Sequence, residues 1–565
     1  MIKFKDYEYK RLDMDQIRED FTHLIEKFEA SSNVEEQNKV MKEINVLREE
    51  VETAGNLVYI RHSINTEDEF YEKEQEFIDE NMPLYEEVMT KYYKALVNSK
   101  FRSELEEKWG SHLFNLAEMQ LKTFSPEIIE DLIKENKLVS EYAKLIASAK
   151  IMFEGEERNL SQMQPFMQSK DREERKKAYE AYTSFFEENE GKFDEIYDNL
   201  VKVRDGMAKK LGFKNFVELG YARMSRTDYN KEMVANYRKQ VEEDLVPVVI
   251  ELKDRQRKRL GLDEFKYYDE PLEFLTGNAT PKGEADWILE NGKKMYSELS
   301  PETNEFFTFM VERELMDLVS KKGKMSGGYC TYIPKYKSPF IFSNFNGTSG
   351  DVDVLTHEAG HAFQGYLSRE IEVPEYIAPT LEACEIHSMS MEFITWPWMG
   401  LFFEEEEEKY KFSHLSGAVN FVPYGATVDE FQHFVYENPE ATPCERRAKW
   451  REIEKKYLPF RDYEDNDFLN RGGYWFRQGH IFEVPFYYID YTLAQVCALQ
   501  FFIKFKEDRE KAWNDYIRLC KAGGSMPFSK LVQYAGLQVP FEDGCIKKVM
   551  GPIKEWLDNV DDSKF

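Results

Sequence analysis

The chain of 565 residues is too long for one small core, and we expect two or more domains or subdomains. Hydrophobic residues make up 42% of the chain and aromatic residues 15%, a composition that excludes an intrinsically disordered protein. The formal net charge of −30 repels nucleic-acid phosphates and anionic lipids, so we expect neither a nucleic-acid nor a membrane partner.

The pattern of apolar residues and cysteines predicts a soluble cytoplasmic protein. The N-terminal sequence MIKFKDYEYKRLDMDQ lacks the apolar run of a secretion signal, and no stretch approaches the roughly 18 apolar residues of a membrane span. The six cysteines are scattered and form no Cys-x-x-Cys pair, which is typical of free thiols in a reducing compartment.

Helical periodicity dominates the first part of the chain. Residues 13–30 place apolar side chains three and four residues apart, which predicts one amphipathic helix. The segment from Asp171 to about Leu211 is also predicted to be helical. Composition suggests a division near residue 200, which gives an N-terminal helical region, 1–200, and a second region, 201–565.

A Gly- and Pro-rich stretch interrupts this pattern before residue 350. It contains two short β-prone pieces, Gly328–Ile333 and Pro339–Phe345, which predict a small sheet. The fold class that we expect is therefore mainly α, with a small β element beside the candidate site described next.

His357-Glu358-Ala359-Gly360-His361 carries the clearest chemistry in the sequence. On a helix, residues four apart lie on one face with Cβ atoms about 5–6 Å apart, so two imidazoles at this spacing can bind one zinc ion. Glu358 lies beside them, where it can accept a proton from a water molecule. The alternative is a buried helix with two structural histidines.

A catalytic zinc site needs a third protein ligand, and residues 379–395 predict the second helix that supplies it. Glu385, 24 residues after His361, is our choice for that ligand. Glu382 lies on the same face, and we expect it to accept the second ring N–H of a ligating histidine. His387 faces another side, which favours a structural or subsite role. Taken alone, the two acids are typical of a solvated helix face.

A third set of polar residues runs from His480 to Tyr491. A tyrosine hydroxyl or an imidazole can donate a hydrogen bond to the oxyanion that forms during peptide hydrolysis. Without the zinc motif, we would interpret a Tyr-rich helix start of this kind as part of the hydrophobic core.

Together these three motifs resemble the thimet-oligopeptidase family of zinc metallopeptidases, and above all its oligoendopeptidase F branch. The resemblance covers most of the chain and includes further short motifs. These are Leu160-Ser161-Gln162, Gln168-Ser169-Lys170-Asp171-Arg172, Leu260-Gly261-Leu262, Pro339-Phe340, Asn344-Phe345-Asn346-Gly347-Thr348 and Lys521-Ala522-Gly523-Gly524-Ser525.

The resemblance implies an elongated helical body in which the N-terminal region, 1–200, forms a lid over a deep channel. The region 201–565 would be the catalytic part. A channel of this kind admits short unstructured peptides and excludes folded proteins. The segment Ser338–Asn346 would pair with an extended substrate by strand addition.

The resemblance also implies roles for single residues. His357, His361 and Glu385 would bind one zinc ion per chain, and Glu358 would be the general base. His480 and Tyr491 would contact the substrate or its oxyanion, with Tyr488 as a further candidate.

The expected function is therefore zinc-dependent endopeptidase cleavage of short oligopeptides. Three alternatives remain at this stage: a zinc carboxypeptidase of similar helical build, a silent peptide-binding protein, and a non-peptidase zinc hydrolase. Nitrogen and carboxylate ligands also accept manganese or cobalt in vitro.

Overall fold

Most of the chain is α-helical in the structure, a computed structural model that describes residues 2–321, 323–325 and 327–565. This confirms the predicted mainly-α class. The helices are α1 (Met14–Ala30), α2 (Val34–Ile64), α3 (Glu69–Val97), α4 (Arg102–Trp109), α5 (Ser111–Thr123), α6 (Ile129–Ala147), α7 (Gln164–Met167), α8 (Arg172–Glu188), α9 (Glu190–Lys210), α10 (Phe216–Arg223), α11 (Lys231–Gln240), α12 (Val246–Arg259), α13 (Ala285–Leu299), α14 (Pro301–Glu312), α15 (Gly350–Ser368), α16 (Leu381–Ile394), α17 (Gly400–Phe403), α18 (Glu407–Glu437), α19 (Pro443–Tyr457), α20 (Asp467–Asn470), α21 (Gly479–Glu483), α22 (Tyr488–Glu507), α23 (Arg509–Ala522), α24 (Phe528–Tyr534) and α25 (Cys545–Asp558).

Two of the predicted helical segments show how local sequence sets helix ends. Helix α1 starts after Asp13, whose carboxylate accepts a hydrogen bond from the backbone N–H of Gln16. The segment predicted from Asp171 to Leu211 is instead two helices, α8 and α9, which are separated at Asn189. The amide of Asn189 donates to the carbonyl of Phe185 in the last turn of α8.

The strands form two small sheets. Strands β1 (Ile151–Phe153) and β2 (Glu156–Arg158) make an antiparallel hairpin, and β3 (Met316–Val319), β4 (Tyr329–Ile333) and β5 (Ser338–Phe345) make a sheet in the order β3-β5-β4. Strand β5 is parallel to β3 and antiparallel to β4. The sheet packs on α15 through β4 and β5, which confirms the predicted β element.

The chain divides into two compact units. The first contains residues up to Lys122, Ala279–Glu407 and Gln500–Leu537, and the second contains Thr123–Asn278, Glu408–Leu499 and Gln538–Phe565. Neither unit is a continuous stretch, and neither has a boundary at residue 200. The functional division into a lid region, 1–200, and a catalytic region, 201–565, stays a prediction, as do the channel and the elongated body.

Each unit has its own buried core. In the first unit, the apolar faces of α1, α2 and α3 meet around Phe21, Ile44 and Leu96, which are fully buried. In the second unit, the ring of Trp475 packs between Phe431 and Phe482, with centroid distances of 5.1 and 5.4 Å. Across the part of the chain that the structure describes, no helix is long and apolar enough to cross a membrane.

Candidate metal centre

Helix α15 presents His357 and His361 on one face. Their ring centroids are 5.0 Å apart with an interplanar angle of 81°, as the predicted i, i+4 spacing requires. The helix begins after Ser349, and its first-turn acid Asp351 accepts hydrogen bonds from the backbone N–H groups of Asn346 and Gly347. These bonds fix the loop between β5 and α15, so the sheet and the histidine-bearing helix are held together.

Helix α16 brings Glu385 to both histidines. Its Oε2 lies 3.2 Å from His357 Nε2 and 3.5 Å from His361 Nε2. The hydroxyl of Ser388 donates to the same oxygen at 2.9 Å. One ligand atom from each of the three residues lies within 4.8 Å of the other two, which is the spacing of a set that can hold one metal ion.

The electrostatics of this set favour a positive charge between the three groups. Burial lowers the pKa of His357, but hydrogen bonds to Glu385 and Glu392 outweigh that effect and hold this pKa well above its ordinary value. Burial raises the pKa of Glu385, but the charge of His361 and the contact with His357 outweigh it and hold this pKa well below its ordinary value. A metal cation would supply that positive charge. Two imidazole nitrogens and one carboxylate are a ligand set that fits zinc.

Glu392 is the acid that orients His357. Its Oε1 lies 2.7 Å from His357 Nδ1, the ring nitrogen that faces away from Glu385. The sequence predicted Glu382 as the partner of a ligating histidine without choosing which one, and at His357 that partner is Glu392. Whether Glu382 supports His361 stays a prediction. The sequence does carry a signal for Glu392, since it follows Glu385 by seven residues, two helical turns, and shares its face.

Glu358 is a buried acid beside the histidines, with 7% of its surface exposed. Its Oε2 has no hydrogen-bond partner among the described residues. Burial raises the pKa of its carboxyl above the ordinary value, and the positive charges of His361 and His357 oppose that shift. Gly328, just before β4, leaves room beside it, because a Cβ atom there would lie 3.7 Å from Glu358 Oε1.

His387 is almost fully buried between α16 and α23. It is 1% exposed, its Nδ1 lies 3.4 Å from Cys520 Sγ, and its carbonyl accepts a hydrogen bond from the Tyr516 hydroxyl at 2.9 Å. These contacts tie α16 to α23. Of the two roles left open by the sequence, structural or subsite, the structural one accounts for this burial.

The second unit contains the His480 cluster, which we define as His480, Tyr487, Tyr488 and Tyr491. The centroid of the His480 ring lies 5.8, 4.9 and 5.8 Å from those of the three tyrosines, in that order. All four side chains are half-buried. The structure thus gathers every residue predicted in this segment, but their roles towards a substrate stay predictions.

An unusual backbone conformation shapes the segment between His480 and the tyrosines. Phe486 has φ +69°, a left-handed value that non-glycine residues rarely adopt. Its N–H donates to Gln432 Oε1, and its carbonyl accepts from Arg226, which also pairs with Asp490 at 2.5 Å. This network compensates the backbone strain and sets the start of α22, where Tyr488 and Tyr491 lie.

The predicted strand addition at Ser338–Asn346 is excluded at Ile341 and Phe342, which pair with a strand on both sides. Strand β5 is the central strand: Ser338 to Phe342 pair with β4, and Ile341 to Phe345 pair with β3. The carbonyl of Ser343 also accepts a hydrogen bond from Lys324 Nζ at 2.5 Å. Among the described residues, β3 and β4 are the outer strands of this sheet, and of these two β4 packs on α15.

Two sequence profiles from one protein family match the chain. The Peptidase M3 N-terminal domain matches residues 4–124, and Peptidase family M3 matches residues 165–275 and 294–551. Together the two profiles cover well over half of the chain.

Similar proteins have been solved and studied. The structure of PZ peptidase A with an inhibitor is 63% identical, with a TM-score of 0.94 over 99% of this chain and 100% of that one. A structure described as a candidate oligoendopeptidase F is 61% identical, with a TM-score of 0.95 over 100% of both chains. The oligoendopeptidase F homolog of Borreliella burgdorferi is 24% identical over 371 residues, which are 64% of this chain and 61% of that protein. The match therefore spans less than two thirds of that relative.

Proposed function

The chain belongs to peptidase family M3, in its oligoendopeptidase F branch, and from this premise we propose that it is a zinc-dependent endopeptidase of short, unstructured oligopeptides. One observation carries the proposal: the buried carboxylate of Glu358, with an oxygen that lacks a hydrogen bond, lies beside a convergent His357–His361–Glu385 set. An unpaired polar group in the interior is costly, which favours a functional role for this acid over a purely structural one.

His357, His361 and Glu385 would hold the metal, and Glu392 would fix the ring of His357 through its Nδ1. A zinc ion bound there supplies Lewis-acid chemistry: it lowers the pKa of a water molecule and polarises a peptide carbonyl.

Glu358 would act as the general base and then as the general acid. It accepts a proton from the attacking water at its carboxylate and returns that proton to the nitrogen of the leaving amine. Burial supports this role because it raises the pKa of Glu358 from that of an ordinary acid towards neutrality. The adjacent Gly328 supports it as well, since the absence of a side chain leaves space at the carboxylate.

The His480 cluster would donate hydrogen bonds to the substrate and to the oxyanion that develops on its carbonyl. His480, Tyr488 and Tyr491 each carry a donor, and a preorganised donor lowers the barrier where the negative charge forms. An extended substrate would pair with β4, the strand on α15 with an unpaired side, rather than with β5.

The test is the cleavage of a quenched fluorescent peptide of about ten residues with both termini blocked, a size suited to an open binding groove. We expect cleavage at an internal bond, identified by product masses, together with one zinc per chain and loss of activity in a chelator. Cleavage only of a peptide with a free C-terminus would instead indicate a carboxypeptidase. Tight binding of the peptide without cleavage, in a zinc-loaded protein, would indicate a silent binder.

A further inference from the structure

A chain of two hydrogen bonds leads to the ring of His480 within the second unit. The hydroxyl of Tyr424, on α18, donates to Gln478 Oε1 at 2.9 Å, and Gln478 Nε2 lies 2.8 Å from His480 Nδ1. Gln478 is the residue just before α21, and His480 is the second residue of that helix.

The amide of Gln478 has one orientation that satisfies all of these groups. Its carbonyl oxygen accepts only, and its nitrogen donates only. If the amide were reversed, the hydroxyl hydrogen of Tyr424 would lose its acceptor, since Gln478 is its hydrogen-bond partner among the described residues. In the orientation that satisfies Tyr424, the amide nitrogen donates to His480 Nδ1. That ring nitrogen must then carry a lone pair and not a proton.

We propose that Gln478, itself oriented by Tyr424, is a positioning residue that keeps His480 neutral and protonated at Nε2, so that His480 presents a fixed N–H donor to the substrate. This inference rests on the proposed peptidase function, because His480 is assigned there as a donor to the oxyanion. A second proton on the ring would have to go to Nδ1 and would break the bond from Gln478.

The surroundings of His480 favour the neutral ring. Its ring neighbours are the three tyrosines of the cluster, and the uncharged amide of Gln478 is the partner of its Nδ1. Burial lowers the pKa of His480 below its ordinary value. His357 shows the opposite arrangement, since its Nδ1 faces the carboxylate of Glu392 and not an amide.

His357 and His480 would therefore have different roles, although their side chains are chemically the same. A carboxylate partner stabilises an N–H on Nδ1 and leaves Nε2 as a lone-pair ligand for a metal. An amide donor on Nδ1 leaves the proton on Nε2, which suits a hydrogen-bond donor and not a ligand. The residue type beside Nδ1 thus assigns one histidine to metal binding and the other to donation.

The experiment records the tautomer of His480 by NMR of histidine labelled with ¹⁵N, with the signal assigned from His480→Gln, and measures kcat and KM on the blocked peptide. The variants are Gln478→Glu, which places an acceptor at Nδ1, and Tyr424→Phe, which removes only a hydroxyl. Tyr457→Phe is the matched control, since its buried hydroxyl bonds Glu430 and not Gln478. Thermal unfolding and zinc content verify that each variant is folded and loaded.

We expect the Nε2–H form in the wild-type protein from pH 6 to 8. In Gln478→Glu we expect a proton on Nδ1 and a fall in kcat of about tenfold or more, with KM changed by less than about threefold, because the lost interaction acts mainly in the transition state. Tyr424→Phe should lower kcat by a smaller factor, and Tyr457→Phe should match the wild type.

A wild-type ring protonated at Nδ1, or a shifted tautomer in Gln478→Glu with unchanged kcat, overturns the proposal. The NMR measurement of the His480 tautomer does not depend on catalysis. A wild-type protein that shows the Nε2–H form but cleaves no peptide would therefore contradict the proposed function and leave the positioning of His480 in place.

Discussion

Gly360 lies against the carbonyl group of His387, where helices α15 and α16 cross. A Cβ atom added to Gly360 would lie 2.6 Å from His387 O and 2.6 Å from the Cα of Ser388, closer than such atoms approach in proteins. The two helices can therefore approach closely only because residue 360 has no side chain. This approach brings Glu385 on α16 within reach of His357 and His361 on α15.

Gly360→Ala should weaken metal binding and destabilise the protein. The added methyl group meets backbone atoms that cannot rotate away, so the helices must separate, at a cost of about 1–3 kcal/mol. We expect the metal affinity to fall about tenfold or more in a competition assay with a chelator. Gly365→Ala is the matched control on the same helix.

At Gly365 the nearest atom to an added Cβ is Tyr332 Cδ2 at 3.6 Å, an ordinary contact. Alanine there should leave metal binding unchanged and favour the helix by about 0.5–1 kcal/mol. Equal metal affinities for Gly360→Ala and the wild type would show that the close crossing is not needed for the site.

Glu392→Gln should lower the metal affinity by a factor of about 10–100. The amide keeps the shape of the side chain but removes the negative charge at His357 Nδ1, so the ring becomes a weaker ligand and loses its fixed orientation. Chelator competition on purified protein measures the change.

Glu382→Gln provides the comparison for that experiment, because Glu382 is the acid that the sequence predicted for this role. We expect the loss of metal affinity to be larger for Glu392→Gln than for Glu382→Gln. The reverse order would contradict the assignment of Glu392 and restore the prediction made for Glu382.

The candidate metal-binding set could be predicted from the sequence because helical periodicity alone decides most of it. His357 and His361 share a face on any helix, and Glu385 lies on the second helix that residues 379–395 predict. The choice between Glu382 and Glu392 could not be made in the same way, because both share that face with Glu385. The crossing of α15 and α16 at Gly360 decides which acid reaches His357, and no local pattern encodes that crossing.

The sheet was predicted in part for a similar reason. The pieces Gly328–Ile333 and Pro339–Phe345 predict strands, but Met316–Val319 is short and starts soon after helix α14 ends at Glu312. Its presence makes β5 central, so Ile341 and Phe342, within the predicted site of strand addition, pair on both sides. The left-handed Phe486 has no local signal either, since its conformation depends on Arg226 and Gln432, which lie far from it in the sequence.

His112→Phe should reduce the loss of stability in acid. His112 is 6% exposed, and burial lowers its pKa to about 4. Between about pH 6.5 and 4, His112 binds a proton in the unfolded chain but not in the folded chain. The contribution of His112 to the free energy of unfolding is therefore complete above about pH 6.5 and is lost as the pH falls towards 4. The phenyl ring keeps the stacking on Tyr376 without this proton.

Urea-unfolding curves at pH 7.5 and pH 4.5 measure the effect. From pH 7.5 to pH 4.5 the free energy of unfolding should fall by about 2 kcal/mol less in His112→Phe than in the wild type. The titration of one group changes this free energy by at most about 1.4 kcal/mol per pH unit. His23→Phe, a change at an exposed position on α1, should behave as the wild type. Identical pH dependence in His112→Phe and the wild type would contradict the role of His112.

The most direct test of the proposed function compares Glu358→Gln with the wild type in the cleavage of the blocked peptide, with zinc quantified in both. Glutamine keeps the size of Glu358 but cannot accept a proton, so kcat should fall by about 100-fold or more with one zinc per chain retained. Glu370→Gln, a change at an exposed acid paired with Lys337, should retain wild-type kcat. Near-normal turnover by zinc-loaded Glu358→Gln would contradict the account.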